Sequence, residues 1–115
     1  MLTVAQLISY CKMEVLCAGN GALDCAVTGG YCGDLLSWVM SRVNAGDAWM
    51  TVMGNVNAIG VASLADAACI VLTDSAPLDD IARARAETHG VTVLRTKKNS
   101  YETAIALSRL LDSAR

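Results

Sequence analysis

Ala68-Cys69-Ile70-Val71-Leu72 sets five apolar residues in a row with no polar alternation. A strand with one wet face alternates, whereas a strand covered on both faces does not. The run therefore predicts a central strand with helices above and below it. Working outward toward the C-terminus, Pro77 is expected to open a helix, with Asp79 and Asp80 in its first turn where the helix dipole favours negative charge. That helix closes at His89-Gly90, a cation-capable residue followed by the usual C-terminal glycine. Val91-Thr92-Val93-Leu94 reads as the next strand. Ser100 is expected to cap a last helix whose face carries Ala104, Leu107, Leu110, Leu111 and Ala114.

The same alternation continues toward the N-terminus. Asn57 to Ala67 is an alanine-rich helix, Gly54-Asn55 the turn before it, and Ala48 to Met53 a strand. Leu36, Val39, Met40 and Val43 mark one face of another helix, stopped by Asn44-Ala45-Gly46. Thr3-Val4-Ala5-Gln6 is a capping-box pattern opening the first helix. Two apolar runs, Met13 to Cys17 and Leu23 to Thr28, flank Asn20-Gly21 and are expected to pair as an antiparallel hairpin. Strands alternating with helices imply right-handed crossovers. The expected fold is α/β: a three-layer α/β/α sandwich with a mostly parallel sheet of about five strands, one domain over residues 1–115.

Composition narrows the function. Apolar residues make up 54% and aromatics 4%, with no Phe, so aliphatic side chains must build the core. A net charge of −2 offers no footprint for nucleic acid or anionic lipid. No run reaches the ~20 apolar residues that span a bilayer, and Met1-Leu2-Thr3 lacks the basic, apolar start of a secretory signal. A cytoplasmic location is expected, without membrane or nucleic-acid partners. Five cysteines are an odd number without C-x-x-C spacing, which favours small buried apolar residues over a metal site. Cys32 is the exception, because a thiolate is favoured close to a helix N-terminus.

Cys32 lies in Thr28-Gly29-Gly30-Tyr31-Cys32-Gly33-Asp34, read as a glycine-rich turn that leaves the next helix's first N–H groups free for an anion. It lacks the lysine of a phosphate-transfer loop. In open parallel sheets ligands sit beyond the carboxyl ends of the strands. The candidate ligand-binding residues are accordingly Gly29, Gly30, Gly33, Asp34, Asn55, Asn57, Thr73, Asp74 and Thr96. A second account fits the glycines equally, since they permit sharp turns, while Asp34 more often supplies a first-turn charge and Asn55 and Asn57 more often serve as turn and cap residues. Trp38 and Trp49 suit either an interface or partial burial in the core. Lys97-Lys98-Asn99 reads as a solvated loop. No base–nucleophile pair stands out, so no catalytic residue, metal ligand or cofactor is assigned.

Three stretches carry a family likeness. They are Gly29 to Ser37, Gly46 to Val52 continued by Asn55 to Ala62, and Val93 to Thr96 leading to Ser100 to Ala104. Together the chain resembles DRTGG-domain proteins of the short stand-alone kind, whose fold is similar to the N-terminal domain of HPr kinase/phosphorylase. The kinase domain with its P-loop has no counterpart here. In larger proteins the resembled domain accompanies CBS modules in regulated pyrophosphatases or precedes phosphate acetyltransferase domains, which implies a regulatory, dimer-forming role. The chain departs from the pattern in having no Asp-Arg-Thr-Gly-Gly string and in carrying Asn55-Val56 where many members carry Asp-Arg.

The expectation is a non-catalytic regulatory or ligand-binding module. It would sense a nucleotide or other small phosphometabolite and act through a homodimer or a partner protein. A purely structural dimerisation module comes next, and a phosphotransferase fragment last.

Overall fold

The computed structural model describes residues 1–114. The apolar run at its centre is strand β4 (Cys69–Leu72), buried at every residue. Successive side chains point to opposite faces of a strand, so Ile70 and Leu72 enter one core while Cys69 and Val71 enter the other. Its neighbours are β3 (Asp47–Thr51) and β5 (Val93–Arg95), both parallel to it. Beyond β3 lies β2 (Gly29–Cys32), also parallel, and beyond β5 lies β1 (Glu14–Cys17), antiparallel. The sheet order is β1-β5-β4-β3-β2.

From β2 to β5 the chain adds each strand beside the last, always in one direction. Right-handed crossovers then place the three connecting helices on one face. These are α2 (Leu36–Arg42), α3 (Val56–Ala65) and α4 (Asp80–His89). Val39, Ala58, Ile59, Ala82 and Ala86 of these helices meet Trp49 and Ile70 of the sheet. Two helices from the chain ends cover the opposite face, α1 (Val4–Cys11) and α5 (Ser100–Ser113). There Val4, Leu7 and Leu107 close over Met50, Val71 and Leu94. The three layers and the five-stranded, mostly parallel sheet agree with the expected α/β class.

With no Phe available, Trp49 fills the largest buried volume, and its Nε1–H donates to the Gly33 carbonyl at 2.9 Å. Truncating such a buried aromatic costs about 3–5 kcal/mol. Trp38, by contrast, is 56% exposed on α2 and stacks under the Arg42 guanidinium, 4.3 Å from the ring centre. Trp49 thus belongs to the core, while Trp38 stays at the surface.

Four local expectations are corrected. The hairpin of Met13–Cys17 with Leu23–Thr28 does not form. β1 pairs with β5 instead, and Ala22–Asp24 makes one 3₁₀ turn. The remainder of that segment runs past the start of α1, where Val27 N–H donates to the Leu2 carbonyl and Ala26 bridges Thr3. The second apolar run thus buries Val27 alone and has no strand to pair with.

The glycine-rich segment is an edge strand, not a turn. Gly29, Gly30, Tyr31 and Cys32 align with Asp47, Ala48, Trp49 and Met50. Neither Gly29, Gly30 nor Gly33 has a positive φ. At Gly30 the requirement is close approach, since a Cβ there would sit 2.6 Å from Leu107 Cδ2 of α5. Pro77 stands ahead of α4 rather than opening it, because Asp79 Oδ1 accepts the Ala82 N–H and makes Asp79 the cap. Likewise Asn99, in a capping box with Glu102, precedes Ser100 as the cap of α5.

Candidate functional site

The carboxyl ends of the parallel strands are where an open sheet offers backbone groups to a ligand. That crevice forms where strand order reverses, and no reversal occurs between β2 and β5. Most polar groups at these ends are engaged within the protein. After β2, Gly33 N–H donates to the Met50 carbonyl at 3.2 Å. Asp34 Oδ1 accepts the Thr51 hydroxyl at 2.7 Å and the Val52 N–H at 3.0 Å, tying β2 to β3. After β3, Asn55 Oδ1 accepts the Ala58 N–H at 2.9 Å and caps α3, while Asn57 is an exposed residue of its first turn. A Cβ at Gly54 would lie 1.9 Å from the Pro77 carbonyl oxygen, so the segment before α4 closes over the end of β3.

After β4, the buried Thr73 hydroxyl pairs with the Ser100 hydroxyl at 2.8 Å. Asp74 and Ser75 follow with φ of 56° and 55°, a left-handed conformation uncommon outside glycine. It turns their N–H groups onto the carbonyls of Lys98 and Thr96, each at 2.9 Å. Thr96 Oγ1 accepts the Lys98 N–H at 3.3 Å. The loops after β4 and β5 are thereby tied together.

The structure therefore separates the sequence-selected residues into groups. Thr73, Asp74 and Thr96 gather at the ends of β4 and β5. Gly33, Asp34 and Asn55 lie at the ends of β2 and β3. Gly29 starts β2 at the opposite rim, and Gly30 lies beneath α5. The helix expected to receive an anion from the glycines begins at Leu36, after Leu35 at the cap position.

A hollow of about 760 Å³ opens beside Thr96, between the end of α1, β1 and the end of β5. Its wall carries Lys12, Arg95, Lys97 and Lys98 against one acid, Glu14. Glu14 and Arg95 face each other in the β1–β5 register and form a two-pronged ion pair, with contacts of 3.0–3.2 Å. Lys12, Lys97 and Lys98 form no ion pair with any described residue. In the sequence Lys97-Lys98 reads as a solvated loop, and nothing local marks Lys12. What joins them is the antiparallel pairing of β1 with β5, which leaves no mark in local sequence.

Of the five cysteines, Cys17 and Cys69 are buried, Cys11 is half-buried, and Cys25 and Cys32 are exposed; all are free. Although the Cys32 residue is exposed overall, partial desolvation of its sulfur pushes the thiol up, and the Asp34 carboxylate adds to the effect. This corrects the expectation of a favoured thiolate: Cys32 ends β2 ahead of the α2 N-terminus, and the Asp34 charge opposes its ionisation. Burial also raises Cys11, offset in part by the positive charge of Lys98. Among the described residues no cluster of His, Cys, Asp and Glu has the makings of a metal site.

Comparison with known proteins bears on this geometry. No curated protein matches the chain. Four chains of solved structures match, among them the CBS and DRTGG domains of the regulatory region of Clostridium perfringens pyrophosphatase, complexed with its activator diadenosine tetraphosphate. The likeness covers 95% of this chain with a TM-score of 0.73 at 11% identity, so it shows a shared fold. This chain spans 45% of that one. The family model of the DRTGG domain matches residues 6–110, which runs from within α1 almost to the end of α5 and takes in every strand. By that match, this chain belongs to the DRTGG-domain family.

Proposed function

We propose that this chain is a non-catalytic regulatory module that senses a nucleotide or another small phosphometabolite and passes the signal through a homodimer or a partner protein. The observation that carries the reading is the family match over residues 6–110, in a family whose domain occurs within the regulatory region of an activator-bound pyrophosphatase. The hollow beside Thr96 supports it, because its size suits a small ligand. Among the described residues no helix is long and apolar enough to cross a membrane, and we place the protein in the cytoplasm.

Thermal-shift measurements with ATP, ADP, AMP, diadenosine tetraphosphate and acetyl phosphate test this function, together with a mass measurement in solution. A ligand at one hundred times its Kd stabilises by about 2.7 kcal/mol. With ~2.1 cal/mol/K of unfolding entropy per residue over 115 residues, that raises Tm by roughly 11 °C. No shift with any of them, together with a strictly monomeric mass, would overturn the reading.

A purely structural dimerisation role is the second reading. It is favoured by the exposed Leu35, Trp38 and Met40 on and before α2, next to the open edge of β2. A dimer that forms without any ligand and is lost in Trp38→Ala would select it.

A further inference from the structure

We infer that the hollow between α1, β1 and β5 is a binding site for a polyanion, the phosphate chain of a small metabolite, with Lys12, Lys97 and Lys98 as its counter-charges. This rests on the regulatory-ligand reading and gives it a place and a chemical class.

The charge distribution carries the argument. The chain has nine basic and eleven acidic residues, yet this one wall holds four of the bases and one of the acids. Arg95 is neutralised by Glu14, which leaves three ammonium groups without an ion-pair partner among the described residues. The β1–β5 ladder pairs Glu14 with Arg95 and Val15 with Leu94. Continued one step past each strand, the ladder would set Met13 opposite Thr96, and a second step would set Lys12 opposite Lys97, so both lysines belong to the same end of the strand pair. Cationic groups gathered on one wall of a cleft raise the local concentration of anions there.

Their backbones are held in place. Lys12 is the left-handed cap of α1, with φ 52°, and the Met13 that follows it is buried. Lys98 donates its N–H to Thr96 Oγ1 and accepts the Asp74 N–H, so the loop after β5 has a fixed course. Flexible ammonium heads on fixed stems, each with three donors, suit phosphate oxygens as point charges. Ser75 and Thr96 line the same wall, and the exposed Tyr10 lies beside them. Three cations outnumber the roughly two negative charges of a single phosphate group, so the fitting ligand carries two or more linked phosphates.

Calorimetry with inorganic tripolyphosphate on the full chain, at low and at physiological salt, tests the inference. The proteins compared are the parent, Lys12→Gln/Lys97→Gln/Lys98→Gln, and Arg85→Gln, an exposed charge on the opposite face, with circular dichroism confirming that each is folded. The expected result is salt-sensitive binding by the parent, weakened about tenfold or more in the triple variant and unchanged in Arg85→Gln. Failure of the parent to bind, equal binding by the triple variant, or equal weakening by Arg85→Gln would each overturn it. A nucleotide-induced rise in Tm that survives the triple substitution would remove this site while leaving the regulatory reading intact. The regulatory reading itself falls only with a flat nucleotide panel and a monomeric mass.

Discussion

Replacing Asp34 with alanine is expected to unfold the protein at a lower temperature while leaving ligand binding alone. Asp34 Oδ1 accepts two hydrogen bonds, from the Thr51 hydroxyl at 2.7 Å and the Val52 N–H at 3.0 Å. Thr51 is fully buried, so its hydroxyl has no water to turn to. A hydrogen bond to a charged group contributes about 1.5–3 kcal/mol. Asp34 itself is exposed, which weakens the charge assistance, so the pair together supports about 2–4 kcal/mol. At roughly 4 °C per kcal/mol for a chain of 115 residues, the Tm should fall by roughly 8–16 °C. Asp34→Asn keeps one acceptor oxygen and should lose about half as much. A double-mutant cycle with Thr51→Val isolates the pair, with a coupling of about 1 kcal/mol or more expected from urea titrations. Across the sheet β2 lies three strand spacings from β5, about 14 Å, so tripolyphosphate affinity should not change. The reasoning fails if Asp34→Ala melts within ~2 °C of the parent. Loss of ligand binding at unchanged stability would make Asp34 a ligand contact instead of a strand tie.

Two more outcomes follow from the same structure. Burial, with a smaller contribution from Cys25, pushes the Cys69 thiol up from its ordinary 9.0 to about 12 in the folded protein. Unfolding therefore releases a proton above pH 9, and stability falls as pH rises from 9 toward 12, by up to about 1.4 kcal/mol per unit from this group. Urea titrations across that range should show the slope, and Cys69→Ala should flatten it; an equal slope in the variant would contradict the assignment. Gly54→Ala should cost about 3 kcal/mol or more or give no folded protein, because its Cβ would meet the Pro77 backbone oxygen at 1.9 Å. A variant as stable as the parent would show that the segment before α4 does not close over β3.

How much the chain disclosed before folding depended on the range of the interactions involved. β4 was legible because five consecutive buried residues leave a local signature, and α4 because Asp79, Asp80, His89 and Gly90 mark its two ends. The glycine segment reads as a turn because glycine permits a tight turn and a close helix contact alike. Only the position of Leu107, far along the chain, tells the two apart at Gly30. The hairpin was misread for a related reason. Asn20-Gly21 is a turn signal, but β1 finds its partner in β5, near the other end of the sequence. The cationic hollow was hidden by the same long-range pairing. Lys12 and Lys97 are unremarkable singly and acquire meaning only once β1 and β5 are neighbours. Thr96 was selected from its place after a strand, and it is the selected residue that lines the hollow.

The account turns on where a phosphorylated ligand binds. Titration of ¹⁵N-labelled protein with ATP and with tripolyphosphate, followed residue by residue through backbone amide shifts, addresses that directly. The shifts should concentrate at residues 10–14, at Asp74 and Ser75, and at residues 95–98, with residues 29–34 and 51–57 left still. Shifts concentrated on the glycine strand and the loop after β3, or no shifts at all, would contradict it.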